Sequence, residues 1–120
     1  MRARIVAVIG ALGVACGAFG AHALKGQVTS DRLATWETAA HYHLIHAVVL
    51  LVLLPSPRSW PFRLITAGTV VFAGSLYALV LLDLPWLGRV TPLGGTLLLA
   101  ASRTAVTICG LTSEWQLRQV

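Results

Sequence analysis

Three histidines fall within six positions: His41, His43 and His46 in the run HYHLIH, with a fourth, His22, upstream. Imidazoles grouped in this way can ligate a metal or a haem iron, pass a proton, or donate a hydrogen bond to a neighbouring helix. Helical spacing divides them. Successive residues turn by about 100°, so His43 and His46 share a face with Trp36 and Ala39, whereas His41 points nearly opposite. His41 stands four positions after Glu37, the spacing of a carboxylate–imidazole pair near a surface.

If the hairpin that contains the cluster folds symmetrically about Val28, His43 lies level with Gly13 and His46 with Gly10. His22 then lies level with Ala34, about 13 Å of helical rise from His43. A metal ion holds its ligands at about 2 Å, so the four histidines cannot share one ion in that register. His43 and His46 alone lack the further ligands of a structural zinc. The candidate polar cluster is His22, Tyr42, His43, His46, Tyr77 and Thr91, with the tyrosines and the threonine as hydrogen-bonding partners. Its expected chemistry is helix-to-helix hydrogen bonding, with no metal and no cofactor. Proton or solute handling is the first alternative, because intramembrane ionisable groups mark such pathways. Haem or metal binding is the second.

The elements that must carry these residues are apolar. Hydrophobic residues make up 57% of the 120 positions and charged residues 11%, against about half and a quarter in soluble domains. Four windows, 5–24, 33–54, 61–82 and 92–111, are long and apolar enough to cross about 30 Å of hydrocarbon as helices. None alternates as a strand would. The expected architecture is all-α: one four-span integral membrane domain over 1–120, a four-helix bundle with short loops. Asp31 is expected to cap the second helix, and Pro61 and Pro92 suit the first turns of the third and fourth. Trp36 and Trp86 are expected at one membrane boundary, Trp60 and Trp115 at the other.

The net charge of +5 comes from basic residues scattered between spans, which form no nucleic-acid patch and read as topology markers. Arg2, Arg4, Arg58, Arg63 and Arg118 stand on one side, Lys25, Arg32 and Arg89 on the other beside Asp31, Glu37 and Asp83. The bias places both termini in the cytoplasm. The start of the chain, with Ala21-His22-Ala23 after an apolar run, also has the outline of a secretory signal. That run is long for a signal, and its glycines are spaced for packing, so a retained span is expected. Cys16 and Cys109 fall inside spans without ligand spacing and read as small buried hydrophobes.

Gly10, Gly13, Gly17 and Gly20 lie on one stripe of the first helix. With Gly74 in the third and Gly94 and Gly95 opening the fourth, they are the expected helix-packing glycines. Arg103 lies about 18 Å along the fourth helix from Thr91, and snorkelling of its side chain is expected ahead of a break near Ser102. No Ser-His-Asp set, phosphate loop or carboxylate pair is present, so no enzyme activity is expected.

Four stretches, GAFGAHAL (17–24), WETAAHYHLIHA (36–47), FAGSLYAL (72–79) and TPLGG (91–95), together resemble the transmembrane-protein-256-like family, small membrane proteins grouped as a domain of unknown function. The resemblance covers about positions 5–100, one motif per helix. After Leu99 the chain departs from it: Ala101, Ser102 and Arg103 stand where members continue with an apolar helix. The resemblance implies a four-helix membrane protein and no particular reaction. The expected role is a non-catalytic component or accessory of a complex in the plasma (inner) membrane. Membrane lipid, other membrane proteins or a second copy are the expected partners, and nucleic acid is not.

Overall fold

In a computed structural model, the backbone is described over residues 1–117 and side chains over residues 1–103 and at Val106. Four α-helices follow one another: α1 (Arg2–Phe19), α2 (Ser30–Val52), α3 (Trp60–Leu82) and α4 (Thr91–Leu117). A π-helical turn, Gly20–Leu24, extends α1, and a 3₁₀ turn, Pro85–Arg89, leads into α4. The described residues contain no strand. The first expected segment, 5–24, is thus α-helical only to Phe19 and widens over its last five residues. The fourth runs without a break through Ser102 and Arg103. Arg118 lies outside the described residues, and the side chains of Cys109 and Trp115 lie outside those described.

The helix starts follow from local chemistry. Pro61 and Pro92 are each the second residue of a helix, where a missing N–H leaves no intrahelical bond unmade. Asp31 does not cap α2. The N-cap is Thr29, with extended backbone, and Asp31 sits in the first turn, where its carboxylate complements the positive helix end. Gly26 turns the α1–α2 connection at φ +83°, a conformation that a Cβ disfavours.

Close backbone packing runs in chain order: α1 on α2, α2 on α3, α3 on α4. Small residues make each approach possible. A Cβ on Gly13 would stand 2.8 Å from Leu44, and one on Gly68 2.8 Å from Leu98. At Gly94 it would meet the Phe72 backbone nitrogen at 2.6 Å, so α4 lies directly on the main chain of α3. Ala39, Ala73 and Leu76 fill the α2–α3 seam. The glycine expectation needs correcting at three positions. Gly10, Gly17 and Gly74 meet nothing within 4 Å inside the chain. A stripe at steps of three and four residues is wider than one helix contact, and α2 covers only its Gly13–Gly20 edge.

At the end formed by the α2–α3 loop, Val6 and Ile9 of α1 join Leu50, Leu53, Phe62, Ile65 and Leu98 in one core that draws on all four helices. A second core, Leu24, Trp36 and Val80 with Cys16 and Tyr77 against it, lies toward the other end. Among the described residues, two helical segments, Arg2–Leu24 and Trp60–Leu82, are long and apolar enough by themselves to cross a membrane, 23 residues each, or about 34 Å at the standard rise.

Candidate functional site

The buried face of α2 carries Trp36, Ala39, Ala40, His46, Ala47 and Leu50, with His43 half-buried among them. That is the helical stripe that the spacing of His43 and His46 describes. His43 reaches two helices at once. Its Nδ1 lies 3.3 Å from the Tyr77 hydroxyl of α3. Its other ring edge lies against α1, with Cδ2 3.5 Å from where a Gly13 Cβ would be. Glycine at position 13 leaves room for the ring there. Cys16 of α1 and Tyr77 pack against the same small core, which continues the line of contacts from His43.

Trp36 completes the site. It is 3% exposed, and its Nε1 donates to the Cys16 carbonyl at 2.7 Å. The indole packs between Tyr77, ring centroids 4.5 Å apart, and Phe19, at 5.6 Å. It is seated against Gly20, where a Cβ would fall 2.5 Å from its Cδ1. Trp36 thus faces inward onto α1 and α3, whatever its depth relative to a boundary. An indole seeks a place where its ring is dry and its N–H is bonded, and the Cys16 carbonyl beside Gly20 supplies one inside the protein. The π-turn begins at this point in the chain, and such turns recur at functional positions.

The other cluster residues stand apart from this line. His46 is buried, and its Nδ1 donates to the Tyr42 carbonyl of its own helix at 2.7 Å. Gly10, expected opposite His46, is not its neighbour. Tyr42 is 45% exposed, with its ring over Phe72 at 5.2 Å and beside His46 at 6.2 Å. Thr91 joins α4 to α3 through the Ser75 hydroxyl, 3.0 Å away. Each hydroxyl also faces a carbonyl of its own segment, Ser75 Oγ that of Phe72 at 2.9 Å and Thr91 Oγ1 that of Leu87 at 3.5 Å. His22 is exposed on the π-turn. His41 and Glu37, both exposed, do not form the expected pair; His41 lies edge-on to Tyr42 at 6.0 Å. An exposed ion pair contributes only about 0–1 kcal/mol, too little to hold two long side chains together. Among the described residues, no three His, Cys, Asp or Glu side chains gather as metal ligands would.

Cys16 and Trp36 are the site residues that sequence reasoning missed. The signal was present. The symmetric register that sets His43 opposite Gly13 also sets Trp36 opposite Gly20, and Cys16 lies on the same face of α1, three after Gly13 and four before Gly20.

Residues 16–95, which include the whole line from Cys16 to Tyr77 and Thr91, match the family described as Protein of unknown function (DUF423). The chain is similar to a UPF0382 membrane protein of Staphylococcus aureus (strain bovine RF122 / ET3-1), 39% identical over 104 residues, which are 78% of this chain and 85% of that one. It is also similar to UPF0382 membrane proteins of Staphylococcus haemolyticus (strain JCSC1435) and Bacillus subtilis (strain 168). The first is 36% identical across 81% of this chain and 88% of the relative. The second is 39% identical across 70% and 75%. No solved structure matches.

Proposed function

The chain belongs to the DUF423 family, and from that premise we propose that this small helical membrane protein is a non-catalytic component of a complex in the plasma membrane. In this reading all four helices span, both termini lie in the cytoplasm, and the described helices form part of a four-helix bundle. The transmembrane-protein-256-like proteins are then more distant members of the same group. Partners are other membrane proteins.

One observation carries the reading. The polar side chains on the inner faces are matched to one another or to the main chain: His43 with Tyr77, Trp36 with the Cys16 carbonyl, His46 with the Tyr42 carbonyl, Thr91 with Ser75. The three that cross between helices, His43 with Tyr77, Trp36 with Cys16 and Thr91 with Ser75, hold them in register at about 1 kcal/mol or less each, while the His46 bond satisfies a buried ring within its own helix. The outward faces are apolar, with Val14, Leu51, Val70 and Leu99 all exposed, and are free to meet lipid or a neighbouring subunit. Photocrosslinking groups placed at Val14, Leu51 and Leu99 in native membranes test this. The expected result is a reproducible protein adduct from at least one outward position and none from buried Leu50. Adducts with lipid alone from every outward position would remove the reading.

A second reading is favoured by the contact between His43 and Tyr77. These two titratable groups meet between α2 and α3 at 3.3 Å, with Cys16 of α1 packed against the same core as Tyr77, as groups that handle a proton would. In that case the protein is a carrier, and the line is where a proton or small polar solute is handled.

A further inference from the structure

Among the described residues, the end of the molecule built from the α2–α3 loop gathers arginines with no carboxylate beside them. The Arg2 guanidinium donates to the Ser56 carbonyl at 2.8 Å and lies over the Phe62 ring at 5.6 Å. Those two contacts tie the start of α1 to the loop and to the start of α3. The amino terminus, Arg2, Arg4, Arg58 and Arg63 are thereby brought to one end. Arg4, Arg58 and Arg63 are exposed, and the one ion pair among the described residues, Arg32 with Asp83, stands at the other end. Asp31 and Glu37, near the start of α2, also lie toward that other end. Trp60, 46% exposed at the start of α3, stands in the same ring of residues.

We propose that this end is a binding surface for anionic phospholipid headgroups, with Arg4, Arg58 and Arg63 as the phosphate ligands and Trp60 as the ring that sits at headgroup depth. The two helical segments apolar enough to cross lipid, Arg2–Leu24 and Trp60–Leu82, both begin here, so the cations lie where hydrocarbon gives way to phosphate. Guanidinium forks match phosphate oxygens in paired hydrogen bonds, which a hydrated ammonium does not. Arg2 is occupied by Ser56 and Phe62 and acts as the clamp that sets the others. Anionic rather than zwitterionic lipid follows from the charge: no carboxylate at this end, among the described residues, answers the arginines. The inference rests on the membrane reading and is independent of the accessory role.

Native mass spectrometry of the full chain, released from detergent with equal phosphatidylglycerol and phosphatidylcholine, tests it. Wild type should retain phosphatidylglycerol in preference. Each cation near a charged bilayer surface is worth about a fivefold change in affinity, so Arg58→Gln with Arg63→Gln should weaken retention roughly 25-fold. Both side chains are exposed, and unchanged helical circular dichroism would show that the variant is folded. Lys25→Gln with Arg89→Gln, at the other end, should leave the preference intact. Equal retention of the two lipids by wild type would overturn the proposal, as would an equal loss in the opposite-end variant.

Discussion

Replacing Gly94 by alanine puts the packing argument to a numerical test. The added methyl would stand 2.6 Å from the Phe72 amide nitrogen and 2.8 Å from its Cα. These are backbone atoms, so no rotamer change relieves the overlap. Ordinary contact begins near 3.4 Å, and the difference requires α4 to retreat from α3 by at least 0.8 Å. A gap of that size forfeits about a quarter to a half of the dispersion energy of each atom pair it opens. One turn along, it would open the seam where Leu98 lies against Gly68. Overpacking of this kind destabilises by about 1–3 kcal/mol. Alanine also gains about 1 kcal/mol of helix propensity over glycine, which would mask part of the effect. Gly74→Ala supplies the control: the same propensity gain at a position with nothing within 4 Å. The propensity term cancels between the two variants, so they should differ by about 1–3 kcal/mol, with Gly94→Ala the less stable. The assay is loss of helical circular dichroism as sodium dodecyl sulfate is titrated into nonionic micelles. Two variants that unfold within about 0.5 kcal/mol of each other would refute direct seating of α4 on the α3 main chain.

Two other substitutions address the Cys16–Trp36–His43–Tyr77 site. Gly20→Ala should destabilise by about 1–3 kcal/mol, because its methyl would overlap the Trp36 indole; in a Trp36→Leu background the same change should cost less, and strictly additive unfolding energies would show that the indole is not the obstacle. Tyr77→Phe should lower stability by about 0.6–1.7 kcal/mol through loss of the hydroxyl that joins α3 to His43 of α2. In proteoliposomes the same variant separates the two functional readings: the carrier reading requires proton or solute flux in wild type that Tyr77→Phe abolishes, and the accessory reading requires none in either.

Much of the helical frame was legible because it follows from chain-local chemistry. The prolines at positions 61 and 92 start helices wherever the neighbours lie, and the buried stripe of α2 follows from residue spacing alone. What depended on a partner helix was harder to read. His43 and His46 share a face by angle, yet one bridges to α1 and α3 while the other turns back to its own Tyr42 carbonyl. Only the seat offered by Gly13 and the placement of Tyr77 separate them. Trp36 has the composition of a boundary residue, and it lies inside because Gly20 opposite it lacks a side chain. The glycine stripe was legible as a stripe, but which edge α2 covers depends on the crossing geometry of two helices, which no single helix encodes. Cys16 was passed over because its role arises from three helices meeting, not from spacing to another ligand.

The chain-order packing of the helices has a consequence for how the protein is made. Each helix rests its backbone on the one synthesised just before it, so every new segment leaving the ribosome finds its neighbour already in place. Assembly can therefore keep pace with translation, hairpin by hairpin, and the side chains that reach from α1 across to α3 close only once α3 has settled on α2.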